Sequence, residues 1–179
     1  MNATNASDSD DSDHPTNAVL AGHGDFGTKS SGVRSKMAER LARDVEAALA
    51  AADVDATVER PWSRLGIRTE CPMAAARVAA TLPGIAFARP VVAVAPELDE
   101  ILRATRQLAE ATPHAETDTY AVDADRIGPS SAHDFSTRDL HVEGGRVVGE
   151  VTGATVDLDD PDRTYRIEVR EREAFVSAI

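Results

Sequence analysis

Positively charged side chains recur in this sequence at spacings that would gather them on single faces. Lys36, Arg40 and Arg43 stand at i, i+4 and i+7, the row that one side of a helix carries, with Lys29 ahead of it and Arg34 near its start. Arg60, Arg64 and Arg68 border the dipeptide Pro61-Trp62. A guanidinium can grip a phosphate through two parallel hydrogen bonds or lie flat on a base. The chemistry on offer is recognition of a polyanion. Ordinary helix pairing competes with it, because Glu39 is placed to meet Arg43 and Arg40 to meet Asp44. Trp62 fits a core plug better than a stacking platform, and Arg166 and Arg170 are expected on a wet strand face, paired with neighbouring acids.

Two glycine spacings suggest phosphate loops and fail on inspection. Gly22, Gly24 and Gly27 match G-x-G-x-x-G, with Glu59 where a ribose-binding acid would stand. A dinucleotide fold would reach its next strand through a crossover helix, whereas Pro61-Trp62 turns this chain straight back. The helix that follows also begins beyond Ser31 and Gly32, too late to hold a pyrophosphate at its N-terminus. In Gly22 to Ser30, Thr28 separates Gly27 from Lys29, an insertion that turns the amides of a G-x-x-x-x-G-K-S loop away from phosphate.

Composition narrows the setting. The 179 residues hold 19 Lys plus Arg against 31 Asp plus Glu, a formal charge of -12, and all the basic residues except Lys29 and Lys36 are Arg. Abundant acid, little Lys and 4% aromatic residues suit a cytosol rich in salt, where charge keeps a chain soluble and self-repulsion is screened. No apolar run approaches the roughly 20 residues that cross a bilayer, and the polar start lacks the pattern of a secretory signal, so a cytoplasmic location without a membrane partner is expected. The single Cys71 excludes an internal disulfide framework and reads as a small apolar residue before the helix opened by Pro72. No residue is assigned a catalytic, cofactor-binding or metal-ligating role.

The elements that must position the basic residues follow from periodicity. Residues 1–17, with four Asp and almost no large apolar side chain, are expected to form a disordered acidic tail. A strand from Ala18 leads to a helix marked by Val33, Met37, Leu41, Val45 and Leu49. Two antiparallel strands around Val58 and Ile67, a helix from Met73 to Leu82 and a strand from Ile85 to Ala95 complete the βαββαβ order of a ferredoxin-like domain, residues 18–96. Residues 97–179 form a second domain. Leu98, Ile101, Leu102 and Leu108 predict a helix closed by Pro113, Thr119–Asp125 a strand, and Ser136 a cap for a helix through Val148 that Gly144 and Gly145 weaken. Gly144 to Asp157 allows a short hairpin instead, and Tyr165, Ile167 and Val169 predict a last strand, half buried and half wet.

The segment Gly24 to Met37, GDFGTKSSGVRSKM, resembles the Y-G-E-I-G-T-K-S-x-x-V-R-x-x-F stretch of the tRNA 4-thiouridine synthetases. LPGIAFARP, Leu82 to Pro90, resembles that family's "IPGI" turn, and Tyr120 to Arg138 is similar to its F-x-V-x-x-K-R-x-G-x-H-x-F-S THUMP stretch. ATVDLDDPDRTYRIEV, Ala154 to Val169, resembles the V-D-L-x-x-P-D-x-x-V-x-I-E-V run that follows. His23 stands where the family has Tyr, Gly22 where it has Arg, and Asp125-Arg126 where it has Lys-Arg.

The resemblance implies an α+β chain in which the ferredoxin-like domain precedes a THUMP domain, an α/β unit with a mixed sheet. It implies tRNA as partner, including its 3′ end, with Lys29, Arg34, Lys36, Arg40, Arg64, Arg126, His133 and Arg138 as RNA-binding residues on one continuous surface. Family members continue into an ATP-pyrophosphatase domain with an S-G-G-x-D-S loop and a persulfide-forming cysteine, neither of which is present here. The expectation is therefore a tRNA-binding portion that needs no cofactor of its own. A catalytic domain in cis or trans would supply the ATP chemistry, a sulfur donor would feed it, and sulfur for thiamine is a further implied use. Alternatives are an RNA-binding adaptor for another tRNA-modifying enzyme, such as a methyltransferase, and a nucleotide-binding regulatory domain.

Overall fold

Leu41, Ala42, Val45 and Leu49 recur at three- and four-residue intervals, and burying that stripe makes Ser31–Ala51 the first helix, α1. The computed structural model describes residues 15–24, 31–59, 64–115 and 117–179, without the side chains of Ser31, Arg34 and Ser130. The chain divides into two compact units, residues 1–90 and 91–179.

In the first unit, β1 (Ala18–His23) sends Val19 and Ala21 into a core shared with α1. The predicted stripe of α1 starts one turn late, because Val33 is 45% exposed. The helix ends where Asp53 adopts φ 55° and Val54 donates back to the Leu49 carbonyl at 3.0 Å, a left-handed reversal that Asp tolerates better than most side chains. β2 (Thr57–Glu59) and β3 (Arg64–Arg68) are antiparallel, and β3 also pairs with β1, placing Gly22 opposite Arg64. α2 (Pro72–Ala80) takes its proline in the first turn, where no amide partner is lost, and buries Ala75, Ala76 and Ala79. Cys71 precedes it as an exposed N-cap residue, not a buried apolar one. β4 (Ile85–Val94) completes the strand order β2-β3-β1-β4, the split βαβ arrangement read from the element order. Thr16, within the stretch expected to be an acidic tail, is already buried.

The glycine spacing has a structural use of its own. Gly84 sits at φ +96°, a conformation that side chains rarely adopt, and its carbonyl accepts the Gly24 amide at 3.1 Å. An amide that a phosphate loop would aim at its ligand is thus committed to the Gly84 carbonyl. Gly27 and Lys29 lie outside the described residues.

In the second unit the last residues of β4 pair antiparallel with β8 (Ala174–Ala178), and the order runs β4-β8-β7-β5-β6. β5 (Thr119–Arg126) is parallel both to β6 (Thr155–Val156) and to β7 (Arg163–Val169), so the sheet is mixed. Ile101, Ala104 and Leu108 of α3 (Leu98–Ala111) and Leu140 and Val148 of α4 (Thr137–Thr152) share one core with Tyr120, Tyr165 and Ile167.

The hairpin alternative across Gly144–Asp157 does not form, since α4 runs unbroken to Thr152. A Cβ on Gly144 would stand 3.3 Å from both Ile167 and Val122, and one on Gly149 only 2.8 Å from the Tyr120 hydroxyl. These glycines weaken the helix locally but let it approach the sheet, and packing outweighs propensity. Nor is β7 the last strand with one wet face. β8 pairs along it, and Glu168 and Arg170 are each 4% exposed, joined by an Nη2–Oε1 hydrogen bond of 2.5 Å. Arg166 instead reaches across to Asp123 and Asp125 of β5.

Ser136 caps α4 as predicted. Its hydroxyl accepts the Asp139 amide, while the Asp139 carboxylate accepts the Ser136 amide at 2.7 Å. Ser136→Ala is expected to lower stability by about 1 kcal/mol, read as a reduced urea midpoint at unchanged slope.

Candidate nucleic-acid interface

α1 presents Lys36, Arg40 and Arg43 on its exposed side, because Leu41, Val45 and Leu49 turn the opposite side inward. The expected Arg40–Asp44 pair forms at 3.8 Å with side chains 81% and 56% exposed, a geometry that contributes little and leaves the guanidinium at the surface. Arg34 lies on α1, but its side chain, like Lys29, Arg60 and Trp62, is outside what the structure describes. Arg64, on β3, places its guanidinium carbon 4.9 Å from the centre of the Phe87 ring. Arg68 meets Glu59 of the adjacent strand at 3.6 Å.

In the second unit the loop after β5 leaves the sheet once Ile127 has donated to the Val169 carbonyl at 2.8 Å. Gly128 at φ +129° and a 3-10 turn at Ser130–Ala132 then bring the chain back to the cap of α4. This path brings Arg126 and His133 to one aromatic ring. The Arg126 guanidinium carbon lies 5.5 Å from the centre of Phe135, and His133 stacks on that ring at 5.3 Å and 22°. Arg138 is exposed in the first turn of α4. The Asp139 carboxyl is held below its usual range, first by the Ser136 amide and hydroxyl and then by the fields of Arg138 and Arg126.

Beside this cluster is a hollow of about 450 Å³, lined by His133, Asp134 and Phe135 together with Glu97, Leu98 and Glu171. Its carboxylates repel phosphate and accept hydrogen bonds. A single-stranded nucleotide would meet it with base amino groups and 2′-hydroxyls, stack on the imidazole and phenyl faces, and leave its phosphate to the guanidinium.

Residues 95–178 match the family model described as the THUMP domain. This part of the chain is a THUMP domain. The chain is similar to a probable tRNA sulfurtransferase of Halobacterium salinarum, 43% identical over 163 residues, covering 89% of this chain and 40% of the relative. It therefore spans about two-fifths of the length of that relative. Among solved structures, PH1313 from Pyrococcus horikoshii matches with TM-score 0.80 and 23% identity over 91% of this chain and 54% of its own. A 4-thiouridine synthetase–RNA complex with bound ATP matches with TM-score 0.68 and 15% identity over 92% of this chain and 41% of its own. At those identities the two structures speak to the fold.

Three of the predicted residues, Arg126, His133 and Arg138, thus belong to the THUMP domain and border one loop. Sequence reasoning misses Phe135, which joins two of them, although its place two residues after His133 hints at a stacked pair. It misses Phe87 and Arg89 as well. Their i, i+2 spacing on a strand puts them on the same face, and Arg89 stands 4.5 Å from the Phe87 ring centre. Among the described residues no three His, Cys, Asp or Glu side chains are grouped to hold a metal ion, and no helix is long and apolar enough to cross a membrane.

Proposed function

We propose that this chain is the tRNA-binding part of a tRNA uracil 4-sulfurtransferase, and that its THUMP domain receives the unpaired 3′ end of tRNA. The observation that carries the reading is the Arg126–Phe135–His133 cluster beside a hollow rimmed with hydrogen-bond acceptors, inside a THUMP domain. Similarity to sulfurtransferases across both units supports the choice of enzyme. The chemistry, ATP-driven activation of a uridine oxygen followed by sulfur transfer, is assigned to the portion of such proteins that this chain does not span. A charge of -12 and a relative from Halobacterium salinarum fit a salty cytoplasm. There counterion release loses its driving force, and stacking with directed hydrogen bonds must carry the affinity.

Fluorescence anisotropy in molar KCl with intact tRNA and with tRNA lacking its 3′ CCA tests this. Intact tRNA is expected to bind at least tenfold more tightly, and His133→Ala and Arg126→Gln each to remove about a tenfold share of that affinity. Equal binding of the two RNAs would refute the 3′-end assignment. No binding of either, together with a thermal shift caused by a nucleotide, would replace it with the regulatory alternative.

A further inference from the structure

The second unit carries another hollow, an apolar groove of about 690 Å³ that shares no lining residue with the one beside His133. The buried Tyr120 and Val122 of β5 lie at its floor, between α4 on one side and Val156 and Leu158 on the other. Its polar groups are already engaged. The Tyr120 hydroxyl donates to the Gly145 carbonyl at 2.8 Å, His141 Nε2 accepts the Ala124 amide at 3.1 Å, and Arg146 is held by Glu143 and Glu150. What the groove has left to offer is apolar surface. Val142, Val156 and Leu158 are 56%, 54% and 77% exposed, half of the large apolar side chains so exposed among the described residues, so the exposure is concentrated at one place. Gly145 adds an independent sign. A glycine inside a helix weakens it relative to alanine, and at Gly144 and Gly149 close packing against β5 and β7 offsets that loss. A Cβ on Gly145 would meet nothing within 4 Å, so packing inside this chain does not require a glycine there. Val142, Gly145, Arg146 and Gly149 stand at i, i+3, i+4 and i+7, the seam along which one helix lies on another, and a missing Cβ lets a second backbone come near.

We propose that this groove docks an amphipathic helix with a cationic polar face, presented by a partner protein. Charge selects the occupant. Along α4, Glu143 and Glu150 are balanced by Arg146 and Arg106, so the excess charge at the rim comes from the loop after β6. There the Asp157 carboxylate accepts the Asp159 and Asp160 amides at 2.9 and 3.1 Å, folding three acids into one turn beside Leu158. Apolar side chains of the incoming helix fill the groove while its lysines or arginines meet these carboxylates, an apolar centre with a charged edge. Nucleic acid and anionic lipid would bring negative charge to an acidic rim. A second copy would bring another charge of -12 and the same acidic loop. An added strand fits less well than a helix, because β6, at the end of the strand order, offers an edge only two residues long. The surface is separate from the RNA-binding reading and stands whether or not the His133 loop holds tRNA.

The probe is a fluorescein-labelled peptide of about 18 Leu and Lys residues, roughly five helical turns, with leucines at i, i+3, i+4 and i+7, followed by anisotropy. The parent chain is expected to bind it. A peptide of the same composition with its leucines scattered around the helix, and one with Glu in place of Lys, are each expected to bind about tenfold more weakly or worse. Molar KCl screens the rim, so it is expected to narrow the second difference and leave the first. Gly145→Leu puts a side chain into the groove. It is expected to raise the urea midpoint, since leucine favours a helix more than glycine does, and yet to weaken the peptide about tenfold. Leu158→Asn, at a site too exposed to matter for folding, is expected to weaken it about threefold. Neither variant is expected to change tRNA affinity, and His133→Ala is expected to leave peptide affinity as in the parent. A parent that does not bind the probe would overturn the proposal. So would equal binding of the scattered peptide, or affinities of both groove variants within twofold of the parent, either of which would mean general attraction to an acidic surface. Self-association of the parent in sedimentation equilibrium, abolished by Leu158→Asn, would replace the partner helix with a second copy of this chain.

Discussion

Replacing Glu168 by Ala is expected to cost about 3–5 kcal/mol and to leave the second unit unfolded at a much lower urea concentration than the parent. Glu168 and Arg170 lie two residues apart, with side chains 5% exposed, and Arg170 donates to the Glu168 carboxylate through both Nε at 3.2 Å and Nη2 at 2.5 Å. Each charge has given up most of its water and is compensated by the other. Removing the carboxylate leaves a guanidinium in a place where water cannot replace the partner, which is why the loss exceeds that of a surface pair. Arg170→Ala should cost a similar amount for the mirror-image reason. The double replacement Glu168→Leu with Arg170→Met removes both charges, and its expected effect is small in either direction. A loss in the double variant equal to the sum of the two single losses would show that the pair is not coupled.

The second large effect is an alkaline one. Tyr165 is fully buried, and its hydroxyl lies 2.9 Å from His114 Nε2. His114 Nδ1 is 2.7 Å from the Thr112 carbonyl, so Nδ1 carries the proton, Nε2 accepts, and the Tyr165 hydroxyl donates. Burial pushes the phenol up from 10.0 to about 12, because phenolate would be poorly solvated there. The sign follows from proton counting. Between those values the unfolded chain has released the proton and the folded chain still holds it, so stability falls as pH rises through the window. The expected loss across it is about 2–3 kcal/mol, fully absent below pH 10. Tyr120 is shifted in the same direction by burial, so the informative measurement is the difference between the parent and Tyr165→Phe. That variant should be about 1–2 kcal/mol less stable at neutral pH, through the orphaned His114 nitrogen, and should show a shallower alkaline decline. Parallel pH profiles would contradict the assignment.

Patterns confined to neighbouring residues are legible without coordinates. Helical spacing in α1 and α3, strand alternation at Val58 and Ile67, and the Ser136 cap depend on contacts a few residues apart, and each stands where the sequence places it, the α1 stripe from Leu41 onward. The short run Ala174–Ala178 also carries a strand signal, since four of its five residues are apolar and Arg170 and Glu173 close a turn before it. That signal is masked because Arg166, Glu168 and Arg170 alternate so cleanly with apolar partners that β7 reads as a half-wet edge.

What the sequence determined by itself is the order of elements in the first unit, the run from α3 through β5 to α4 in the second, and the residue types from which an RNA-binding surface could be built. Tertiary structure decided which of those residues meet. Whether a charged strand position faces water depends on the strands on either side of it, and β8 reaches β7 only through the folded sheet, so Glu168 and Arg170 became a buried pair. Which aromatic ring an arginine lies against is likewise decided by the fold. Phe135 under Arg126 and His133, and Phe87 under Arg64 and Arg89, are set by loop closure and by the empty space at Gly22. Spacing along a chain fixes direction within one element, but the free energy of a charge is set by all the atoms around it, and most of those come from elsewhere in the sequence.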